Sequence, residues 1–154
     1  EDLNIPRKDA DNFINKYFEK YAGIKKYIER LKQKCKETGY AETYWGRKRT
    51  IKEIHSSNKV DLAYGERMAV NTTIQGSAAD LIKIAMIKII NEFNKLKLKS
   101  KLILQVHDEL IFDVVKSEKD IVKKIVKEAM ENGFNFKLKL KTSIEEGDNW
   151  GELH

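Results

Sequence analysis

The chain has 154 residues, about the length of one ordinary domain, and can bury roughly two-thirds of its unfolded surface. Lys and Arg number 30 against 24 Asp and Glu, and the net charge of +6 points to a polyanionic partner, nucleic acid ahead of an anionic membrane. The lone Cys35 excludes an intrachain disulfide and a cysteine zinc site, and no apolar run approaches the roughly 18 residues of a membrane span, so a soluble intracellular protein is expected.

Pro6 stands where a first-turn proline would, and Ala10, Phe13, Ile14, Tyr17, Phe18 and Tyr21 then recur at helical spacing until Gly23 interrupts them. A second helix is predicted from about Ile24 to Glu37, with Ile24, Tyr27, Ile28 and Leu31 on one face and Gly39 as its stop. Tyr40 to Tyr44 and Thr50 to Ile54 read as short strands around Trp45-Gly46-Arg47-Lys48-Arg49, with the glycine supplying the turn. After Ser56-Ser57-Asn58 a long helix is predicted from about Leu62 to Asn94. Leu102 to Val106 and Leu110 to Val115 form a hairpin, and Ser117 with Asp120 three residues on reads as a variant capping box for a helix that ends at Gly133. Phe136, Leu138, Leu140, Thr142 and Ile144 alternate with lysines and predict a strand buried on one side. The expected fold is α+β, an antiparallel sheet of about three strands with helices on one face.

Two features resist explanation by packing. On the long helix Ala78, Ile82, Ala85 and Ile89 form one stripe, and running it backward lands on Gln75, Asn71 and Arg67. Three hydrogen-bond donors on a core stripe make sense where the helix leaves the core to line a groove. Such donors suit a duplex minor groove, because every Watson-Crick pair presents acceptors there at similar positions, so pair geometry is checked without reading sequence. Arg47, Lys48 and Arg49 are candidates for added phosphate contacts. The second feature is Gln105-Val106-His107-Asp108-Glu109-Leu110, three ionisable residues between two apolar β-prone runs. Asp108 and Glu109 are hard oxygen ligands suited to Mg²⁺, which is held by one or two carboxylates plus substrate phosphates. Two-metal phosphoryl transfer needs a further carboxylate, and the other acids of this chain are scattered.

These residues resemble the C-terminal part of the family A DNA polymerases, the bacterial polymerase I type. Gln105 to Leu110 is similar to the family's third polymerase motif, and Glu66-Arg67-Met68-Ala69-Val70-Asn71 through Ile74-Gln75-Gly76-Ser77-Ala78-Ala79-Asp80 to the segment before it. Gly39-Tyr40-Ala41-Glu42-Thr43 with Gly46-Arg47-Lys48-Arg49, and the closing Glu146-Gly147-Asp148-Asn149-Trp150, match as well, in family order. The resemblance implies a palm-type sheet over about residues 61–154, preceded by a helical fingers remnant and connecting hairpin over about 1–60. It implies Asp108 as metal ligand, Glu109 as a supporting catalytic acid, His107 near the primer terminus, and Arg67, Asn71 and Gln75 on the template and primer-terminal pair. The implied cofactor is Mg²⁺, two ions in the intact enzyme, and the implied partners are primer-template DNA and deoxynucleoside triphosphates. A monomer in the bacterial cytoplasm is expected, although an organellar homologue fits equally.

The departure from the family pattern is an absence. Neither the earlier motif with the other metal-binding aspartate nor the fingers helix with Arg, Lys and Tyr-Gly is found, and Tyr64-Gly65 is not that helix because no lysine stands eight residues before the tyrosine. The expectation is therefore a fragment ending at the enzyme's own C-terminus and inert alone. Two other classes stay open at this point. A non-catalytic nucleic-acid-binding module would bind DNA tightly by itself with steep salt dependence, but leaves the hairpin acids unexplained. A metal phosphohydrolase built on His107 and Asp108 needs more histidines, and His55 and His154 show no ligand spacing.

Overall fold

A computed structural model describes residues 6–134 and 136–152. The fold is α+β and forms two compact units, one up to Ser77 and the other from Ala78. Among the described residues no helix is long and apolar enough to cross a membrane.

In the first unit α1 (Arg7–Lys20) starts one residue later than the sequence predicts, with Pro6 as its N-cap and the Pro6 carbonyl accepting from the Asp9 and Ala10 amides. The break before α2 (Ala22–Thr38) falls at Tyr21, and Gly23 lies inside the helix. Gly39 ends α2 as predicted, in the left-handed region at φ 76°, its amide donating to the Cys35 carbonyl. Strands β1 (Tyr40–Glu42) and β2 (Lys48–Thr50) pair antiparallel, Ala41 opposite Arg49, and Gly46 at φ 86° turns the chain between them. Beyond Thr50 the predicted strand is replaced by a 3₁₀ turn, Lys52–His55. The reason is a spacing of three: Ile51 and Ile54 are both buried, and one 3₁₀ turn brings i and i+3 to the same side where a strand would oppose them. They join Cys35, Ala41 and Ala69 in this unit's core, with Met68 packed against it. Asn58 opens α3 (Lys59–Lys95), its side-chain oxygen accepting from the Val60 amide at 2.9 Å.

In the second unit Ile89 and Phe93 of α3 pack with Val122, Val126 and Ala129. Strands β3 (Lys101–Val106) and β4 (Glu109–Asp113) form a hairpin whose Leu110 and Phe112, with Val114 just beyond, cover that core. The register slips between Leu102 and Leu104, so Ile103 is bulged and 60% exposed. Helix α4 (Lys119–Lys127) runs into a π-helical turn, Glu128–Asn132.

Two expectations fail here. The capping box at Ser117 does not form, because Ser117 lies in a 3₁₀ turn (Lys116–Glu118) and α4 starts with Glu118 as N-cap and no side-chain cap bond. Glu118 is engaged elsewhere: its carboxylate accepts from the Lys99 amide, the Ser100 amide and the Ser100 hydroxyl, at 2.6–3.0 Å. The sheet also has two strands rather than about three. Among the described residues no strand follows β4; Leu138 is 82% exposed, and the Thr142 amide, which a ladder would use, donates to the Glu131 carboxylate at 2.8 Å. Alternation makes a segment able to be a strand, but only a partner edge makes it one.

The Glu118 clamp titrates. Its bonds to the Lys99 amide first, then to Ser100, hold the carboxyl below the usual carboxylate range. A lowered folded-state value contributes stability that is fully present above the ordinary carboxylate value, about pH 4, and is lost as pH falls from there through the lowered one. Glu118→Gln is therefore expected to melt below the wild type at pH 7, by a gap that is smaller at pH 3. Thermal unfolding followed by circular dichroism at both pH values checks this, and an equal gap at the two would remove the clamp's role.

Candidate active site

The predicted site residues fall into two groups, each within one unit. In the first unit Arg67, Asn71 and Gln75 stand one helical turn apart on α3, and all three are exposed. The same stretch of helix buries a neighbouring stripe, Ala69, Thr72 and Thr73. Further along α3 the buried positions are Ile82, Ala85, Ile89 and Phe93, and stepping that stripe back turn by turn reaches the three donors. The donors thus keep the phase of a core stripe yet face solvent, while in the first unit the helix buries Ala69, Thr72 and Thr73. Gly76 lies within one uninterrupted α-helix, so the phase carries through.

Three contacts steady the start of the donor stripe. The Arg67 guanidinium lies over the Tyr64 ring, 5.7 Å from its centroid. Beside it Glu66 pairs with Lys36 at 2.7 Å and Lys32 at 3.3 Å, tying α3 to α2, and the hydrogen bond from Lys36 holds the Glu66 carboxyl below its usual range.

The β1–β2 hairpin grips the far end of the stripe, which the sequence reading missed. Arg47 donates to the Gly76 carbonyl at 3.1 Å, and the Tyr44 amide donates to the Ser77 hydroxyl oxygen at 2.8 Å. Arg49 reaches Thr72 Oγ1 at 3.5 Å and Met68 Sδ at 3.6 Å, while Lys48 lies over the Tyr40 ring at 4.5 Å. Arg47 and Arg49, the candidates for phosphate contacts, hydrogen-bond to α3. The available signal was Gly76, since glycine inside a helical pattern costs about 1 kcal/mol against alanine and leaves room for a close neighbour.

In the second unit His107, Asp108 and Glu109 share one hairpin end. Val106 pairs with Glu109, leaving His107 and Asp108 as a two-residue turn, and all three ionisable residues are exposed. Two-residue hairpins need positive φ at their first position, normally supplied by Gly or Asn. Here His107 adopts it, at φ 51°, and Gln105 Nε2 donates to the His107 carbonyl at 3.1 Å. A non-glycine residue in the left-handed region is uncommon and directs attention to what its side chain does. Among the described residues no three His, Cys, Asp or Glu stand close enough to hold a metal ion. His154 lies outside the described residues.

The model of DNA polymerase family A matches residues 1–152. This chain belongs to that family. Within family A, DNA polymerase I of Caldicellulosiruptor bescii is 48% identical over 151 residues, 98% of this chain and 18% of its own length. DNA polymerase I of Borreliella burgdorferi is 45% identical over 154 residues, 100% of this chain and 17% of its own length. A solved structure, the POL domain of Pol1 from M. smegmatis in complex with DNA primer-template and dNTP, superposes with a TM-score of 0.93 at 35% identity, covering 98% of this chain and 27% of that one. The chain therefore spans under a fifth of the length of these polymerase I relatives.

Proposed function

We propose that this chain is the primer-terminus-reading and carboxylate-bearing part of a DNA-directed DNA polymerase, which adds deoxynucleotides to a primer 3′ end in replication and repair. Residues up to about 60 belong to the fingers and the connecting hairpin, and those from about 61 onward to the palm. The observation that carries this reading is the His107–Asp108 turn, which presents two adjacent exposed carboxylates at a hairpin end in a chain of family A.

The residues fit a magnesium ion in a specific sense. Mg²⁺ keeps most of its shell for water and phosphate oxygens and takes one or two protein carboxylates, a donor set that Asp108 and Glu109 match in kind and number. Asp108 would hold it, with Glu109 as the supporting acid. When bound, such ions polarise phosphoryl oxygens and neutralise the charge developing in nucleotidyl transfer, the two-metal chemistry of this class. The second aspartate that two ions need has no counterpart in these 154 residues, so the isolated chain is inert.

The remaining residues bind and orient. Arg67, Asn71 and Gln75 donate toward the minor-groove acceptors of the primer-terminal pair and the template, which a mispair displaces. His107, held at positive φ, lies toward the primer end. In the full-length polypeptide containing this chain, Gln75→Ala is expected to slow extension of matched termini about tenfold, the worth of one well-placed hydrogen bond, and to narrow the gap to mismatched termini. Single-nucleotide primer extension on both termini measures this. Wild-type rates on both would remove Gln75 from the reading.

A further inference from the structure

We infer that Arg47 is a positioning residue for Gln75, holding the helical turn that presents it through a contact that a side chain at position 76 would crowd. The inference rests on the proposed role of the donor stripe and adds to it the device that sets the stripe's register.

The Gly76 carbonyl sits one residue after Gln75 and inside an α-helix, where the helix itself already supplies an amide donor. Arg47 adds a second donor to that oxygen at 3.1 Å. A Cβ at position 76 would stand 2.9 Å from Thr43 Cγ2 and 3.3 Å from Arg47 Nη2, so the hairpin end occupies the space a side chain would fill. Next along the helix, Ser77 accepts from the Tyr44 amide at 2.8 Å and donates to the Thr73 carbonyl. The hairpin end is itself braced: the Thr43 amide donates to the Arg47 carbonyl at 2.9 Å, and the Arg47 amide donates to Thr43 Oγ1 at 3.1 Å. One turn back, Arg49 reaches Thr72 and Met68 on either side of Asn71 in sequence. Each solvent-facing donor therefore has a chain neighbour fastened to β1–β2, and the bracket nearest Gln75 has the most bonds.

A donor that tests pair geometry works only if its own position is fixed, because a turn free to shift follows a mispaired acceptor instead of penalising it. A guanidinium donor across a glycine provides this fixity at an exposed site without burying a charge. The role differs from a phosphate contact, which would leave Arg47 independent of Gln75 and would enter the salt dependence of DNA binding.

The test is a double-mutant cycle in the full-length polymerase, using single-nucleotide extension of matched and mismatched primer termini. Arg47→Met is expected to lower matched extension about threefold to tenfold and to narrow mismatch discrimination in the direction of Gln75→Ala. Ser77→Ala should do the same more weakly, and Arg47→Lys, which keeps a donor, should recover most of the loss. In the Gln75→Ala background Arg47→Met should add nothing. Additive losses, or a shallower salt dependence of DNA affinity in Arg47→Met, would overturn the inference and make Arg47 a direct DNA contact. Wild-type behaviour of Arg47→Met beside an impaired Gln75→Ala would also overturn it. A silent Gln75→Ala would instead defeat the underlying reading of the donors, and the inference with it. Melting curves for each variant restrict the comparison to folded protein.

Discussion

Asp108→Asn in the full-length polymerase is expected to cut primer extension by on the order of 10³-fold while leaving primer-template affinity within a few-fold of wild type. Asparagine matches aspartate in size and is at home in a tight turn, so the two-residue hairpin keeps its shape and only the negative charge is lost. Asp108 is exposed, and its replacement opens no cavity. The two readouts therefore separate: a rate that collapses with binding intact assigns the carboxylate to chemistry, whereas a loss of binding alone would assign it to DNA contact. Glu109→Gln serves as comparison and should cost less, since Glu109 is the supporting acid. Extension at the wild-type rate by Asp108→Asn would sink the metal-ligand assignment outright.

Gly65→Ala is expected to destabilise the first unit by about 2 kcal/mol, although alanine is the better helix former by about 1 kcal/mol. The reason is what lies beside it. A Cβ on Gly65 would stand 2.8 Å from the backbone carbon of Glu53 and 2.8 Å from the amide nitrogen of Ile54, neither of which can rotate away as a side chain could. Those atoms belong to the 3₁₀ turn that delivers Ile54 to the core, so the helix must withdraw or the turn must open. Gly23 is the internal control, since a Cβ there meets nothing within 4 Å, and Gly23→Ala should hold or slightly raise stability. Chemical denaturation of both variants checks the pair, and a stable Gly65→Ala would show that α3 can shift without cost.

Helical phase and the hairpin that bears the candidate site were legible in the sequence. Periodicity of 3.6 found α3 and, run backward, the exposed donors at Arg67, Asn71 and Gln75, because helical phase persists through any stretch the backbone does not break. Apolar runs flanking His107-Asp108-Glu109 found the β3–β4 hairpin to within a residue or two at each end. The bulge at Ile103 was not legible, since Leu102, Ile103 and Leu104 are all apolar and no alternation there says which of them faces the core. Nor was the unformed strand after Phe136: its alternation reports the ability to pair, and Glu131 takes the Thr142 amide first. Tyr64-Gly65 was recognised only as a motif that does not belong to the fingers helix, and its actual task, close approach to the backbone of Glu53 and Ile54, is invisible without the second segment.

What the sequence determined by itself was local and chemical: the helical segments, the β3–β4 hairpin, the candidate residues for magnesium or a groove, and, through four motifs in order, the resemblance to the family. Each of these follows from residue type and spacing along one chain. What only the tertiary structure decided were the meetings between distant segments: Glu118 on the Lys99 and Ser100 amides, Arg47 on the Gly76 carbonyl, and the 3₁₀ turn against Gly65. Such contacts depend on one side chain or backbone filling the space another leaves, a property of pairs that no single stretch of sequence encodes.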